Sequence, residues 1–388
     1  MKIVTTADWH VANFSDFSKS LMTIWDSEVL RFIEVSDDVP QSKEMNSRLL
    51  NILNGLCDMR DYCKEHEIFD VLMAGDCFHK RGTIEVTVYN SIYKVLESYF
   101  SCGITVHMIA GNHDQVDSSQ QPISSIHGFK EIVHVIEEPT QFCIERGEEC
   151  EEVIAIPYSK DKEFVVTSIK TLREQCISPE KAILVAHMGV TGGTVGSGMY
   201  SMKDEYTLSD LKANKFKYVV LGHYHQPQCL SKNSIYSGTP VQNSFSDELK
   251  GEDGYNGFFV LDTSKRYDMR FVPIMAPRFV TCESSRELNK LDQEFISNNY
   301  VRVKSSAKDA EEIQGVLEDL FGDSISGVRV ELEKEYDTDR RSDIGISQTF
   351  EDAVKTYADE HFDDAAECDV YKKLGLDILA QATVGGKY

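Results

Sequence analysis

Five short polar clusters carry the chemistry of this 388-residue chain, and each closes an apolar run. Asp8 and His10 follow Lys2–Ala7, and Gly75-Asp76 follows Phe69–Ala74. Gly111-Asn112-His113-Asp114 closes Thr105–Ala110, and His187 closes Lys181–Ala186. Gly222-His223-Tyr224-His225 closes Tyr218–Leu221. Asp8, His10, Asp76, Asn112, His187, His223 and His225 make a mixed nitrogen and oxygen donor set without a thiolate. Such a set favours Mn²⁺, Fe²⁺, Zn²⁺ or Co²⁺ over Ca²⁺ or a structural zinc. It exceeds one tetrahedral ion and suits two ions that share a carboxylate. Two ions about 3.5–4 Å apart clamp both sides of an in-line displacement at phosphorus and lower the pKa of a bridging water. The implied chemistry is hydrolysis of a phosphoester. A lone D-x-H or H-x-H triplet is a common accident. All five clusters in order would otherwise leave carboxylates and imidazoles buried without partners, which is costly.

These clusters need elements to position them. Ser47–Glu65 and Thr83–Phe100 have helical periodicity, and the apolar runs between them read as buried strands. Strand and helix alternate at the spacing of an α/β layered domain, whose ligands gather at the carboxyl ends of the strands. Residues two apart on extended backbone face one way, so Asp8 with His10, and His223 with His225, are expected to reach one site. Ser234–Ser237, Gly257–Asp262 and Met269–Ile274 read as antiparallel additions to a second sheet. Ala276-Pro277 marks a boundary, because the residue before proline leaves helical geometry. Beyond it the pattern is strand (Phe279–Cys282), helix (Ser284–Ser297), strand (Tyr300–Lys304), helix (Lys308–Phe321) and strand (Gly327–Glu335). The expected domains are therefore residues 1–275 and 276–336. Asp337–Ser347 follows as a polar linker, and residues 348–388 form a helical segment. Between Ile346 and Val370 lie eight acids and one lysine. That stretch is either a solvated acidic helix or a helical hairpin that docks on a partner.

Composition excludes several classes. An apolar fraction of 41% with 27% charged residues supports a buried core and rules out general disorder. No apolar run is long enough to span a membrane. The N-terminus reads as a strand rather than a leader, so a cytoplasmic location and ten reduced cysteines are expected. A net charge of −24 argues against coating nucleic acid by bulk electrostatics, but not against a local basic surface. No Walker A sequence occurs. The glycine-rich Gly189–Tyr200 lacks the Lys-Ser/Thr of a P-loop and reads as a flexible loop. Trp9 reads as core packing. His66, His107, His127, His134 and His361 read as structural or surface residues.

The order D-x-H, G-D-x-x-H, G-N-H-D, H, G-H-x-H resembles the calcineurin-like metallophosphoesterase superfamily. Within it, residues 1–275 are most similar to the SbcD family of DNA repair exonucleases, phage-encoded members included. Gly75-Asp76-Cys77-Phe78-His79 is similar to that family's G-D-x-F-H, where Ser/Thr phosphatases carry G-D-x-x-D-R-G. Ser237-Gly238-Thr239-Pro240 with Ser244-Phe245-Ser246-Asp247-Glu248 is similar to its S-G-S-P…S-F-x-E. The resemblance implies an αββα two-sheet sandwich with a smaller α/β capping domain that touches DNA and a C-terminal helical tail. It also implies two divalent ions, manganese before magnesium. Asp8, His10, Asp76 and His225 would hold one, and Asp76, Asn112, His187 and His223 the other. His113 would contact the scissile phosphate, Asp114 would orient His113, and His79 would handle substrate, packing in the core being its alternative role. The implied activity is 3′–5′ exonuclease on duplex ends and endonuclease on single strands. The implied partners are DNA, a second copy of the chain, and an SbcC-type SMC-like ATPase bound by residues 348–388. A phage-encoded member would work in the host cytoplasm. The segment Phe14–Glu44 lengthens the first crossover and is a lid, a dimer element or a DNA contact. The rival readings are a nucleotide phosphodiesterase or phosphatase on the same core, and an assembly protein that bridges an ATPase and DNA.

Overall fold

The structure, a computed structural model, describes residues 1–116, 124–195, 200–201, 206–251, 254–288, 290–291, 293–305, 313, 328–332, 358 and 368–376. The chain starts with β1 (Lys2–Thr6), then builds a small antiparallel sheet from β2 (Ser20–Asp26), β3 (Arg31–Glu34) and β4 (Lys43–Asn46). Helix α1 (Ser47–Glu65) begins at Asn46, whose side chain accepts from the backbone N–H groups of Arg48 and Leu49. This caps two of the donors that a helix start leaves open. Then come β5 (Asp70–Met73), α2 (Val86–Ser101), β6 (Thr105–Ile109) and β7 (His134–Ile136). β1, β5, β6 and β7 pair in parallel.

The chain next builds a second sheet. A hairpin, β8 (Thr140–Arg146) and β9 (Glu149–Ile156), leads through α3 (Lys162–Gln175) to β10 (Ile183–His187). A two-residue pair, β11 (Thr194–Val195) and β12 (Tyr200–Ser201), precedes β13 (Tyr218–Gly222), β14 (Gln228–Ser231) and β15 (Ser234–Tyr236). β9, β10, β13 and β15 run parallel, with β14 and β8 antiparallel at the edges. The chain then returns to the first sheet with β16 (Gly257–Asp262), antiparallel to β1, and β17 (Met269–Pro273) outside it. The two six-stranded orders are β17-β16-β1-β5-β6-β7 and β14-β15-β13-β10-β9-β8. Two expectations change here. Gly257–Asp262 and Met269–Ile274 extend the first sheet, not the second, and Ser234–Tyr236 joins the second in parallel.

Strand alternation explains the layers. In β10, Leu184 and Ala186 face the α3 side, while Ile183 and Val185 face the other sheet. In β5, Val71 and Met73 lie under α1 and α2, and Leu72 faces across. Both faces of the central strands are therefore buried, which is why they read as unbroken apolar runs. Each large side chain so buried contributes about 1.5–3 kcal/mol. The result is an αββα sandwich.

β18 (Phe279–Cys282), β19 (Tyr300–Ser305) and β20 (Val328–Leu332) form a separate parallel sheet, with short helices α4 (Ser285–Leu288) and α5 (Gln293–Ser297) in place of one longer helix. The expected helix over Lys308–Phe321 and linker over Asp337–Ser347 lie outside the described residues, apart from Ile313. So do residues 196–199 of the glycine-rich loop and most of residues 348–388. The chain divides into two compact units at Leu332. Residues 368–376 of the second unit contain a helix on which Val370 and Leu374 are exposed. No helix of the described residues is long and apolar enough to cross a membrane.

Cys143 and Cys150 are joined as a disulfide across the β8–β9 hairpin, with 5.9 Å between their Cα atoms. This corrects the expectation of ten thiols: eight cysteines are free. The register pairs Cys143 with Glu152 and Glu145 with Cys150. The two cysteines are thus diagonal neighbours on one hairpin face, a relation that a search for C-x-x-C does not detect.

Candidate metal centre

The ligand candidates arrive from the carboxyl ends of both sheets. β1 delivers Asp8 and His10, β5 delivers Asp76, and β6 delivers Asn112, while β10 ends on His187 and β13 leads to His223 and His225. The first two loops stay zipped beyond their strands. Asp8 N–H donates to the Gly75 carbonyl at 2.9 Å, and His10 N–H to the Asp76 carbonyl at 3.1 Å. The second sheet is tied in by His223 N–H, which donates to both oxygens of Asp8 at 3.0 Å.

The backbone there is not extended. Asp8, His10, Asp76 and His223 all have positive φ, at 52°, 46°, 60° and 110°. The extended-strand rationale for D-x-H and H-x-H is therefore corrected. The chain turns through positive φ after β1, β5 and β13, and these turns replace the extended backbone at Asp8, His10, Asp76 and His223. Non-glycine residues hold such geometry at a cost of about 1–3 kcal/mol each, which the surrounding fold must offset. Glycine precedes the ligands because the space behind them is full. A methyl group on Gly75 would overlap Nδ1 of His187, and one on Gly111 would overlap the Asp76 carboxylate.

Acceptor atoms converge on two adjoining pockets. Asp76 Oδ2 lies 3.7 Å from His10 Nε2 and 3.4 Å from His187 Nε2. Asn112 Oδ1 lies 2.8 Å from His187 Nε2 and 3.2 Å from His223 Nδ1. Asp8, His10 and His225 each place a ligating atom within 4.8 Å of the others, as do Asp8, Asp76 and His187. His187 uses Nδ1–H to donate to the Ala74 carbonyl at 2.8 Å, which leaves Nε2 as a lone pair. Nε2 faces the carboxylate and amide oxygens of Asp76 and Asn112, a meeting that either a proton on Nε2 or a metal ion between them satisfies. His10 is 2% exposed, and neither of its ring nitrogens has a hydrogen-bond partner. A buried imidazole without partners is costly, and a metal ion would satisfy it. The donor set and the orphaned ring both fit divalent metal.

Electrostatics agree. Burial raises Asp8 to about 6, despite the opposing pull of His187 and His225. Burial also pushes Asp76 up, but His187, His10 and His113 more than offset it and hold the carboxylate ionised. Burial lowers His187, yet Asp76 raises it to about 9. Burial and the neighbouring His187 drop His223 to about 4. Metal binding takes neutral imidazoles, so it displaces the proton that Asp76 favours on His187.

His79 and His113 stand beside this cradle. The His10 ring centroid is 5.3 Å from that of His79 and 4.8 Å from that of His113. His113 N–H donates to Asp76 Oδ1 at 2.7 Å, and its ring Nδ1–H donates to the His79 carbonyl at 2.5 Å. Asp114 does not play the orienting role expected of it. Its carboxylate accepts from the backbone N–H groups of Asp76, Cys77, Phe78 and Gly111 at 2.9–3.2 Å. It fixes the two ligand loops against each other, and the His79 carbonyl aims His113.

One functional residue escaped the sequence reading. Asp247 Oδ1 accepts from His225 Nδ1–H at 2.8 Å, and its Oδ2 accepts from Asn243 N–H and Ser244 N–H. Burial opposes charge on the pair, but Asp247 still raises His225 to about 9. A carboxylate behind a ligating imidazole fixes its tautomer and increases its basicity. Asp247→Ala is expected to weaken divalent-metal binding about 10–100-fold, read by calorimetric titration with Mn²⁺. Undiminished affinity would leave Asp247 a purely structural residue.

A family model described as calcineurin-like phosphoesterase matches residues 1–227. An uncharacterized metallophosphoesterase, YhaO of Bacillus subtilis (strain 168), is 27% identical over 206 residues, which cover 51% of this chain and 46% of YhaO. The chain thus spans less than half the length of that relative. A crystal structure of a dimetal phosphatase from Danio rerio aligns over 67% of this chain and 91% of its own, with 10% identity and a TM-score of 0.38.

Proposed function

Because this chain belongs to the calcineurin-like phosphoesterase family, a family of metal-dependent phosphoester hydrolases, we propose that it is a two-metal DNA nuclease of the SbcD type. The observation that carries the reading is the histidine cluster of His10, His79 and His113 at the edge of the metal cradle. Histidines, where phosphomonoesterases of the G-D-x-x-D-R-G pattern use arginine, suit the single negative charge of a phosphodiester. The bound ions would supply Lewis acidity and an activated water. Asp8, His10, Asp76 and His225 would hold one ion, and Asp76, Asn112, His187 and His223 the other. His113 is aimed by the His79 carbonyl, so its Nε2 is free to hold a proton for the departing oxygen. His79 lies 5.8 Å from it, centroid to centroid, and lines the approach.

The partners follow from the same reading. An SbcC-type ATPase would cover the C-terminal helix, where exposed Val370 and Leu374 offer apolar anchors. A second copy of the chain would complete the assembly, which would work in the cytoplasm. The test is digestion of an end-labelled linear duplex and of a single strand, with Mn²⁺, with Mg²⁺ and with chelator. Manganese-dependent shortening is the expected result. Turnover of cyclic nucleotides or phosphoproteins by metal-loaded protein that leaves DNA intact, with and without an SbcC-type ATPase, would move the assignment to a phosphodiesterase or phosphatase.

A further inference from the structure

The β2–β4 sheet interrupts the first crossover and forms one wall of a groove of about 1010 Å³. Helix α2 supplies the facing wall, including Lys94. The groove reaches Asn13, three residues beyond the metal-ligand candidate His10. The next residue, Phe14, has its ring 4.9 Å from that of His79. Asn13, at the edge of the groove, is thus the chain neighbour of a residue packed on the histidine cluster.

Its lining is out of keeping with the rest of the chain. Three lysines, Lys19, Lys43 and Lys94, face one acid, Glu44, in a protein of net charge −24. Asp26, Glu34, Asp37 and Asp38 of the same segment are not part of the lining. Lys94 pairs with Glu97 at 2.6 Å, but both groups are exposed, and such a pair is weak enough to be exchanged for a phosphate. The lining also carries a half-buried aromatic. Trp25 packs edge to face against Phe32 at 4.9 Å, and the Lys94 ammonium lies 5.7 Å from its ring centroid. An aromatic ring among lysines in an open groove is the combination that holds single-stranded nucleic acid without reading its sequence.

We propose that this groove carries the single DNA strand that enters or leaves the metal centre, with phosphates on Lys19, Lys43 and Lys94 and a base stacked on Trp25. The proposal rests on the nuclease reading and gives the Phe14–Glu44 segment its role. A fluorescein-labelled oligothymidylate, titrated with full-length protein in chelator, measures binding without cleavage. Lys43→Glu combined with Lys94→Glu should weaken binding at least tenfold and flatten the log Kd against log salt slope by about 1.4, roughly 0.7 for each lost phosphate contact. Trp25→Ala should weaken it at least about fivefold, and Trp25→Phe should restore most of the loss. The chain has two tryptophans. Trp9 is 1% exposed but sits between Asp8 and His10, so the part of the wild-type quenching by the strand that is lost in Trp25→Phe reports Trp25. In cleavage assays the lysine variants should raise KM and leave kcat near wild type. Binding, salt slope and KM all unchanged in the double lysine variant would overturn the groove while leaving the nuclease. Wild-type protein that hydrolyses bis(p-nitrophenyl) phosphate but neither binds nor cuts DNA would overturn both.

Discussion

Asp76→Ala is expected to lower metal-dependent phosphodiester hydrolysis at least about a thousandfold, the scale set by losing a preorganised charge that acts on the reacting phosphate. Three roles end together. Oδ2 lies 3.7 Å from His10 Nε2 and 3.4 Å from His187 Nε2. Oδ1 receives His113 N–H and so fixes the backbone of the proposed proton donor. The negative charge of Asp76 joins that of Asp8 in favouring a cation in a pocket otherwise walled by imidazoles and the Asn112 amide. Asp76→Asn separates these roles, because its amide oxygen can still accept from His113 while its charge is gone. The alanine variant should bind less metal per chain, and the asparagine variant should bind metal weakly with His113 still in place. Metal content by elemental analysis and turnover of a labelled oligonucleotide measure the two effects. A fully active Asp76→Ala protein would sink the assignment of a shared carboxylate.

Gly222→Ala should damage the fold and the centre at once. Gly222 ends β13 of the second sheet and packs closely against the first sheet beside the ligands. A methyl group there would overlap the Ala74 carbonyl oxygen and sit 3.0 Å from the Ala7 methyl, both on the first sheet. The Ala74 carbonyl is also the acceptor that orients His187. The obstacle is backbone on an opposing strand, which cannot rotate away as a side chain would. A cost of about 3 kcal/mol or more is expected, at the upper end for overpacked cores. Urea unfolding would read the stability loss. Calorimetric Mn²⁺ titration would show weaker binding, since His187 and His223 flank the strain. A variant as stable as wild type with full affinity would show that the sheets part more easily than this packing suggests.

The sequence disclosed what depends on residue type and short-range period. The span of α1 was readable because Leu49, Ile52, Leu53, Leu56 and Met59 repeat at helical spacing. β16 was readable as a run of apolar residues, but its sheet was not. A run buried on both faces looks the same in either layer, and only the pairing of Lys2 with Asp262 decides the matter. The β2–β4 sheet was missed because Ser20–Asp26 is half-buried at almost every position and shows no alternation. The ligand types at strand ends were visible, whereas the positive φ of Asp8, His10, Asp76 and His223 was not, since no local rule demands it of those residues. Asp247 was out of reach for another reason. Its partner lies 22 positions away, on a separate strand end, and nothing in the spacing links them.

The chain order has a consequence in time. β1 is an interior strand of its sheet, and its neighbour on one side, β16, ends at Asp262. Translation at about 5–20 residues per second leaves β1 waiting roughly 13–50 s for that neighbour. The centre is delayed in the same way, since Asp8 must await His225 and the Asp247 behind it. Pairings so distant along the chain also form slowly once they are available. A nascent chain therefore carries Asp8 and His10 without a finished centre until Asp247 has emerged. The candidate centre can close only after Asp247 has been made, and the first sheet only after β16 and β17 have followed it.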